Sequence, residues 1–198
     1  MKGRWRLDEV SDPSVLAAMD VVPREEFVPT SLRSAAGDDR ALPIEFGQSI
    51  SQPAVVAFMT EQLRLSSTSR VLEVGTGTGY QAAVLAEISR EVYSIERIAV
   101  LAHTAASRLV RLGYENVHVR EGDGALGWPE AAPFDAIIVT AAAEAAPSAL
   151  LEQLGVGGRM IVPIGTPDGP QVLVLYQRTP TGGFDRRELW SVRFVPLL

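Results

Sequence analysis

From residue 70 to residue 165, short apolar runs alternate with stretches of helical period. R-V-L-E-V (70–74) is a compact β-branched run that leads into Gly75, Gly77 and Gly79, and Q-A-A-V-L-A-E-I-S (81–89) then reads as a helix. E-V-Y-S-I-E (91–96) is a second strand. The spacing predicts a helix over 99–112, with Leu101, Ala105, Leu109 and Leu112 on one face and Gly113 as its stop. N-V-H-V-R-E (116–121) is a third strand, followed by Gly122, Asp123 and Gly124. P-F-D-A-I-I-V-T-A-A-A (133–143) is a fourth, buried strand that runs out into a small-residue loop. A helix over about 147–154, a G-V-G-G turn and a fifth strand, R-M-I-V-P-I-G (159–165), complete the alternation. V-L-V-L-Y-Q-R (172–178) and L-W-S-V-R-F-V-P-L-L (189–198), joined by T-P-T-G-G-F-D, read as an antiparallel hairpin. The pattern predicts an α/β fold: a doubly wound sheet, mostly parallel, with an antiparallel C-terminal hairpin.

The first third of the chain is less periodic. Asp12 and Pro13 open a helix over 12–22 with Val15, Leu16 and Met19 on one face, and Pro23 ends it. P-R-E-E-F-V-P follows as an irregular segment, readable as a connector anchored by Phe27. From Asp38 to Pro53 the chain reads D-D-R-A-L-P-I-E-F-G-Q-S-I-S-Q-P, a stretch long enough to be functional or disordered. Its spaced Ile44, Phe46 and Ile50 argue that it is ordered. Ser49 and Ser51 fall just before a helix that starts at Pro53, so either could simply cap that helix or face a ligand.

The strand–glycine–helix unit carries the chemistry. Glycine permits positive φ and lacks a Cβ, so backbone N–H groups and the helix N-terminus can approach a ligand closely. Glu96 ends the second strand about 20 residues past the first glycine, as expected of an acid that grips a ribose. The dinucleotide pattern G-x-G-x-x-G needs a glycine at position 80, where the chain has Tyr80. G-x-G-x-G preceded by Glu73 is instead the pattern of methyltransferases that use S-adenosyl-L-methionine (AdoMet). A carboxylate at Glu73 can balance a ligand that bears a sulfonium and an ammonium. Asp123 and Gly124 form either a plain turn or part of the ligand side of the sheet, since they fall at the carboxyl end of a strand.

Composition narrows the partners. At 198 residues the chain is expected to form one domain over 1–198, with the N-terminal helix and loop of residues 1–50 packed on the core. Net charge is −6, which argues against a nucleic-acid partner. There is no cysteine, so disulfides, thiolate zinc sites and cysteine nucleophiles are excluded. His103 and His118 lie on a helix and in a strand, and read as structural or solvated. No carboxylates cluster at ligand spacing, so no metal is expected. The first ten residues lack a leader's apolar run and no segment approaches 18 apolar residues, so a cytoplasmic protein without a membrane partner is expected.

Taken together, these stretches resemble the protein-L-isoaspartate O-methyltransferase family. The likeness runs from V-P-R-E-E-F-V-P through A-L-P-I-E-F-G-Q-S-I-S-Q-P, V-L-E-V-G-T-G-T-G-Y-Q, Y-S-I-E-R, R-E-G-D-G, F-D-A-I-I-V-T-A-A-A and L-G-V-G-G-R-M-I-V-P-I-G to V-R-F-V-P-L. Q-S-I-S-Q-P is its specific part. The resemblance implies a Rossmann-like methyltransferase sheet and a monomer that uses AdoMet to methylate isoaspartyl proteins and peptides. It implies Ser51 as the active-site hydroxyl. It implies cofactor contacts at Ser49, Ile50, Ser51, Glu73, Gly75, Thr76, Gly77, Gly79, Glu96, Asp123 and Gly124, and a substrate side formed by Ile44, Phe46, Ser49, Thr140 and Ala141. Ile44–Glu45–Phe46 replaces a more Gly-rich version of the loop, and the apolar Leu198 stands where a hydroxyl often makes a contact. Two other readings stay open: a relative dedicated to one peptide that methylates ordinary aspartate, and a nucleotide-binding module without activity.

Overall fold

The computed structural model describes residues 10–166 and 169–197. Residues 1–9, inspected above for a leader, and Leu198, placed above at the end of the last strand, lie outside the described residues, as do Pro167 and Asp168. Helix α1 (Pro13–Val21) begins where its sequence signals: the Asp12 carboxylate accepts from Ser14 N at 2.8 Å and Pro13 occupies the first turn. Its buried Val15, Ala18 and Met19 turn toward helices α2 (Pro53–Leu63) and α3 (Tyr80–Ala86).

Between α1 and α2 lies a small hairpin of β1 (Leu42–Pro43) and β2 (Ser49–Ile50), with Leu42 opposite Ile50. The main sheet has seven strands in the order β5-β4-β3-β6-β7-β8-β9. They are β3 (Arg70–Val74), β4 (Glu91–Glu96), β5 (Val117–Glu121), β6 (Phe134–Val139), β7 (Leu154–Gly165), β8 (Gln171–Arg178) and β9 (Phe184–Val192). β5 through β7 pair in parallel; β8 and β9 are antiparallel additions. This is the predicted doubly wound architecture. β6 ends in a continuous apolar run, Ala136–Val139, because both faces of the sheet are covered there.

On one face α1, α2, α3 and α4 (Ala99–Arg111) pack over Val71, Val92, Ala136 and Ile138. On the other, α5 (Ser148–Glu152) and single 3₁₀ turns cover Leu72, Val74, Ile95, Phe134, Ile137 and Val139. Strand order reverses between β3 and its neighbour β6, and the carboxyl ends of β3, β4 and β6 open there into one cleft.

Two boundaries differ from the sequence reading. G-V-G-G, read as a turn, lies inside β7, which starts at Leu154; the pairing jumps from Phe134–Leu154 to Ala136–Arg159, so the glycines bulge out. The last strand begins at Phe184 rather than 189 and ends at Val192. The end of the expected connection, F-D, and the following R-R-E, which the reading left outside the strand, pair along β8 from Arg178–Phe184 to Val174–Glu188. Charged side chains are what an exposed edge strand carries to discourage pairing with other chains. Residues 193–197 leave the strand and return to the cleft, where Ala142 N donates to Val195 O at 2.8 Å and Leu197 N to Ala142 O at 2.7 Å.

Candidate active site

The glycine turn after β3 has positive φ at each glycine: 96° at Gly75, 53° at Gly77 and 90° at Gly79. Gly75 is also sterically required, because a Cβ there would overlap the Thr140 hydroxyl. That hydroxyl donates to Gly75 O at 2.7 Å and locks the turn to the end of β6. Four amides of the turn are taken up within the protein. Gly75 N and Thr76 N donate to Ile95 O, Gly77 N donates to Glu96, and Gly79 N donates to Thr76 O. The glycines therefore serve conformation and close approach. Arg108 of α4 holds the same turn from outside by donating to Thr78 O at 2.6 Å.

Three acids were singled out in the sequence, and they occupy three different settings. Glu96 is 8% exposed and walls the cleft. Its Oε2 accepts from Gly77 N at 2.8 Å and its Oε1 from Ile98 N at 2.9 Å. Each oxygen keeps a lone pair for a ligand hydroxyl. Glu73, expected to balance a cationic ligand, is 0% exposed and does not wall the cleft. Its Oε2 accepts from the Ser94 hydroxyl, and Ser94 in turn lies 2.5 Å from Thr76 Oγ1. Burial pushes the Glu73 carboxyl up to about 8, the Ser94 hydrogen bond pulling it down and the nearby Glu96 pushing it further up. Asp123 is exposed and bonds its own backbone, accepting from Ala125 N at 2.9 Å; its neighbour Gly124 is the one that walls the cleft.

The segment before α2 is ordered from below by Arg24. This residue of the P-R-E-E-F-V-P stretch is 1% exposed. Its Nη1 donates to Ala36 O at 2.9 Å and Asp38 O at 3.2 Å, and its Nη2 to Arg40 O and Ser51 O, both at 3.0 Å. One guanidinium thus gathers four carbonyls of the 36–51 segment, with Phe27 fully buried beside it against Tyr80.

Neither serine caps α2 by its side chain. The cap residue is Gln52, without a side-chain bond, and Asp39 Oδ1 accepts from Ala54 N at 3.1 Å instead. A carboxylate already occupies that helix end, so Ser49, Ile50 and Ser51 are left lining the cleft. Of the apolar trio, Ile44 and Ile50 are buried, whereas Phe46 is 55% exposed with φ 60° and does not contribute to core packing. Ile44 and Phe46 lie beside the cleft wall rather than in it; Thr140 and Ala141 belong to it.

The cleft is open to solvent on one side and encloses about 870 Å³ when that open space is counted. Sequence reasoning missed part of its wall: Gln48, Arg97, Ile98 and the returning segment Val195–Leu197. The signal for the last of these was Pro196, which argues against a continuing strand. His103 and His118 are exposed and apart from it; His118 packs on Tyr93. Among the described residues no three His, Cys, Asp or Glu side chains are placed to hold a metal, and no helix is long and apolar enough to cross a membrane.

A family model described as protein-L-isoaspartate(D-aspartate) O-methyltransferase matches residues 6–198. The chain belongs to this family. It is 56% identical over 189 residues to a protein-L-isoaspartate O-methyltransferase 2 of Pelobacter propionicus, covering 96% of this chain and 84% of that one. A solved protein-L-isoaspartate O-methyltransferase superposes with a TM-score of 0.86 at 33% identity; it covers 96% of this chain, which spans only 62% of the solved one. A Plasmodium falciparum relative, solved in complex with S-adenosyl-L-homocysteine, gives a TM-score of 0.83 at 27% identity, covering 98% of this chain and 94% of that one. The fold is thus the Rossmann-like methyltransferase sheet.

The family cofactor fits the residues present. The cleft offers an acceptor carboxylate at Glu96 beside the glycine turn, a threonine hydroxyl at Thr76 and apolar side chains at Val56, Val74, Ile95 and Ile98. Beneath its floor lies Glu73, whose Oε1 has no hydrogen-bond partner. For a ligand with ribose hydroxyls, an apolar ring and a cationic end, this is a complementary donor and acceptor set.

Proposed function

We propose that this protein transfers a methyl group from AdoMet to the free α-carboxylate of L-isoaspartyl residues in proteins and peptides, the first step of repair through a succinimide. The observation that carries the reading is the segment Ser49–Ser51. Arg24 holds it through Ser51 O, and it lines the same cleft as the glycine turn and Glu96. In this reading the protein acts as a cytoplasmic monomer on isoaspartyl chains, without nucleic acid or membrane.

The residues suit the task. A carboxylate with a reference pKa of ~3.9 is already ionised at neutral pH, so no strong base is required. AdoMet, when bound, supplies an electrophilic methyl group. The chain's part is to fix the carboxylate oxygen in line and to exclude water, which is catalysis by positioning. Ser51 is placed to orient the carboxylate without competing as a nucleophile. Glu96 holds the ribose end, and its bonds to Gly77 N and Ile98 N fix its own rotamer.

Methyl transfer to matched isoaspartyl and aspartyl peptides tests the assignment. Much faster methylation of the isoaspartyl peptide is expected; a reversed preference would move the protein to the class dedicated to one peptide, and no transfer to either would remove the enzymatic reading. Ser51→Ala is expected to lower kcat on the isoaspartyl peptide by roughly tenfold or more while AdoMet affinity changes little. An unchanged kcat, with chemistry rate-limiting, would strip Ser51 of its role. Glu96→Ala should weaken AdoMet by about 1–3 kcal/mol, roughly tenfold to a hundredfold, as read by calorimetry. Unchanged affinity would place the ribose elsewhere.

A further inference from the structure

Glu73, Ser94 and Thr76 form a line from the interior of the sheet to the cleft. Glu73 and Ser94 stand side by side on β3 and β4, and Thr76 begins the turn that walls the cleft. Each link is a hydroxyl that can both donate and accept, so the line has a direction. When Glu73 is ionised it only accepts: Ser94 must donate to it, Thr76 must donate to Ser94, and Thr76 presents lone pairs to its surroundings. When Glu73 carries a proton on Oε2 the order reverses. Ser94 then donates to Thr76, and Thr76 is left with a proton to offer.

The surroundings make both states accessible. Glu73 is fully buried, its Oε1 has no hydrogen-bond partner, and the charged group that acts on it is the like-charged Glu96. Helices α2 and α3, which pack on this face, bring Thr60 and Gln81, already bonded to each other, and Tyr80, whose hydroxyl bonds Met19 Sδ. Among the described residues no cation offsets Glu73. Burial holds its carboxyl near 8, so a positive charge arriving in the cleft can tip it.

We propose that Glu73 is a positioning residue that distinguishes a cationic sulfonium cofactor from its neutral thioether product, binding the first in its ionised form and the second in its protonated form through the Ser94–Thr76 line. The inference rests on the cleft's being an AdoMet site. On cofactor binding the Glu73 proton leaves to solvent by way of the two hydroxyls. After transfer of the methyl group the sulfonium charge is gone and Glu73 recovers a proton from solvent.

Calorimetric titration of AdoMet and of S-adenosylhomocysteine, between pH 6 and 9 and in phosphate and Tris buffers, tests this. The two buffers differ in ionisation heat and so report protons released. For the wild type, the ratio of AdoMet to adenosylhomocysteine affinity should rise by up to roughly tenfold per pH unit below 8 and level off above, with about one proton released per AdoMet at pH 7. In Glu73→Gln that slope and that proton should vanish. The amino group shared by both ligands also titrates, so the difference between wild type and Glu73→Gln is the quantity read. Ser94→Ala, which leaves Glu73 in place but removes its donor, should move the rise to higher pH, and it serves equally if Glu73→Gln does not fold. Equal slopes in wild type and Glu73→Gln, or an unmoved midpoint in Ser94→Ala, overturn the proposal. Failure of the wild type to bind AdoMet at any pH overturns the cofactor assignment instead, a distinguishable result.

Discussion

Arg24→Met is expected to destabilise the protein by about 3–5 kcal/mol and to make residues 36–52 the first site of limited proteolysis. Methionine matches much of the stem's volume but supplies none of the four donated bonds to Ala36, Asp38, Arg40 and Ser51. Each buried carbonyl left without a donor costs about 1–3 kcal/mol, reduced where water or backbone movement can reach it. The loss is concentrated in one segment, because all four acceptors lie between residues 36 and 51. Arg24→Lys should recover only a fraction, since an ammonium lacks the flat fork that spans carbonyls on both sides. Both variants should lose methyl transfer more than they lose stability, because Ser51 is fixed through its own carbonyl. Urea midpoints, a time course of proteolysis and kcat/KM on an isoaspartyl peptide measure the three effects. Wild-type stability in Arg24→Met would show that the clamp is dispensable.

The parallel half of the sheet was legible because its strands are short, apolar and separated by amphipathic helices. The 99–112 pattern predicts α4 nearly to its ends, and Gly113 follows it at φ 89°. That the glycine turn and Glu96 lie close together was legible because their order along the chain is local. What escaped was non-local. Arg24 sits in a run of charges whose ordinary place is solvent, and only tertiary packing reveals that it turns inward. Asp39 as the cap of α2 lies fifteen residues from the amide it accepts, outside any capping pattern. Glu73 illustrates the limit most sharply. Its position just before the glycines marks it as important, but alternation along β3 puts it on the same face as Val71, which is buried under helices rather than open to the cleft. The F-D-R-R-E edge and the return of Val195–Leu197 were missed for the same reason: hydropathy does not say which strand is last in a sheet, nor where a chain goes after leaving it.

In the absence of ligand, Glu73→Gln should be more stable than the wild type at pH 8, and the gap should close as the pH falls toward 5. In the unfolded chain this carboxyl ionises near its ordinary value of 4.5; in the folded protein burial, reinforced by Glu96, pushes it up to about 8. Between those values the folded state holds a proton that the unfolded state has lost. Wild-type stability therefore falls as pH rises through this window, by up to about 1.4 kcal/mol per unit, and the penalty becomes constant above it. Below about 4.5 Glu73 is neutral in both states and contributes no slope. Glutamine keeps the shape and an oxygen for the Ser94 hydroxyl but cannot ionise, so it escapes the penalty, worth a few kcal/mol in total at pH 8. Every other titrating group is common to the two proteins, so the difference in their urea midpoints across pH 5 to 8 isolates residue 73. A gap that stays constant across that range would mean that Glu73 already titrates near its ordinary value in the folded protein, with water reaching Oε1.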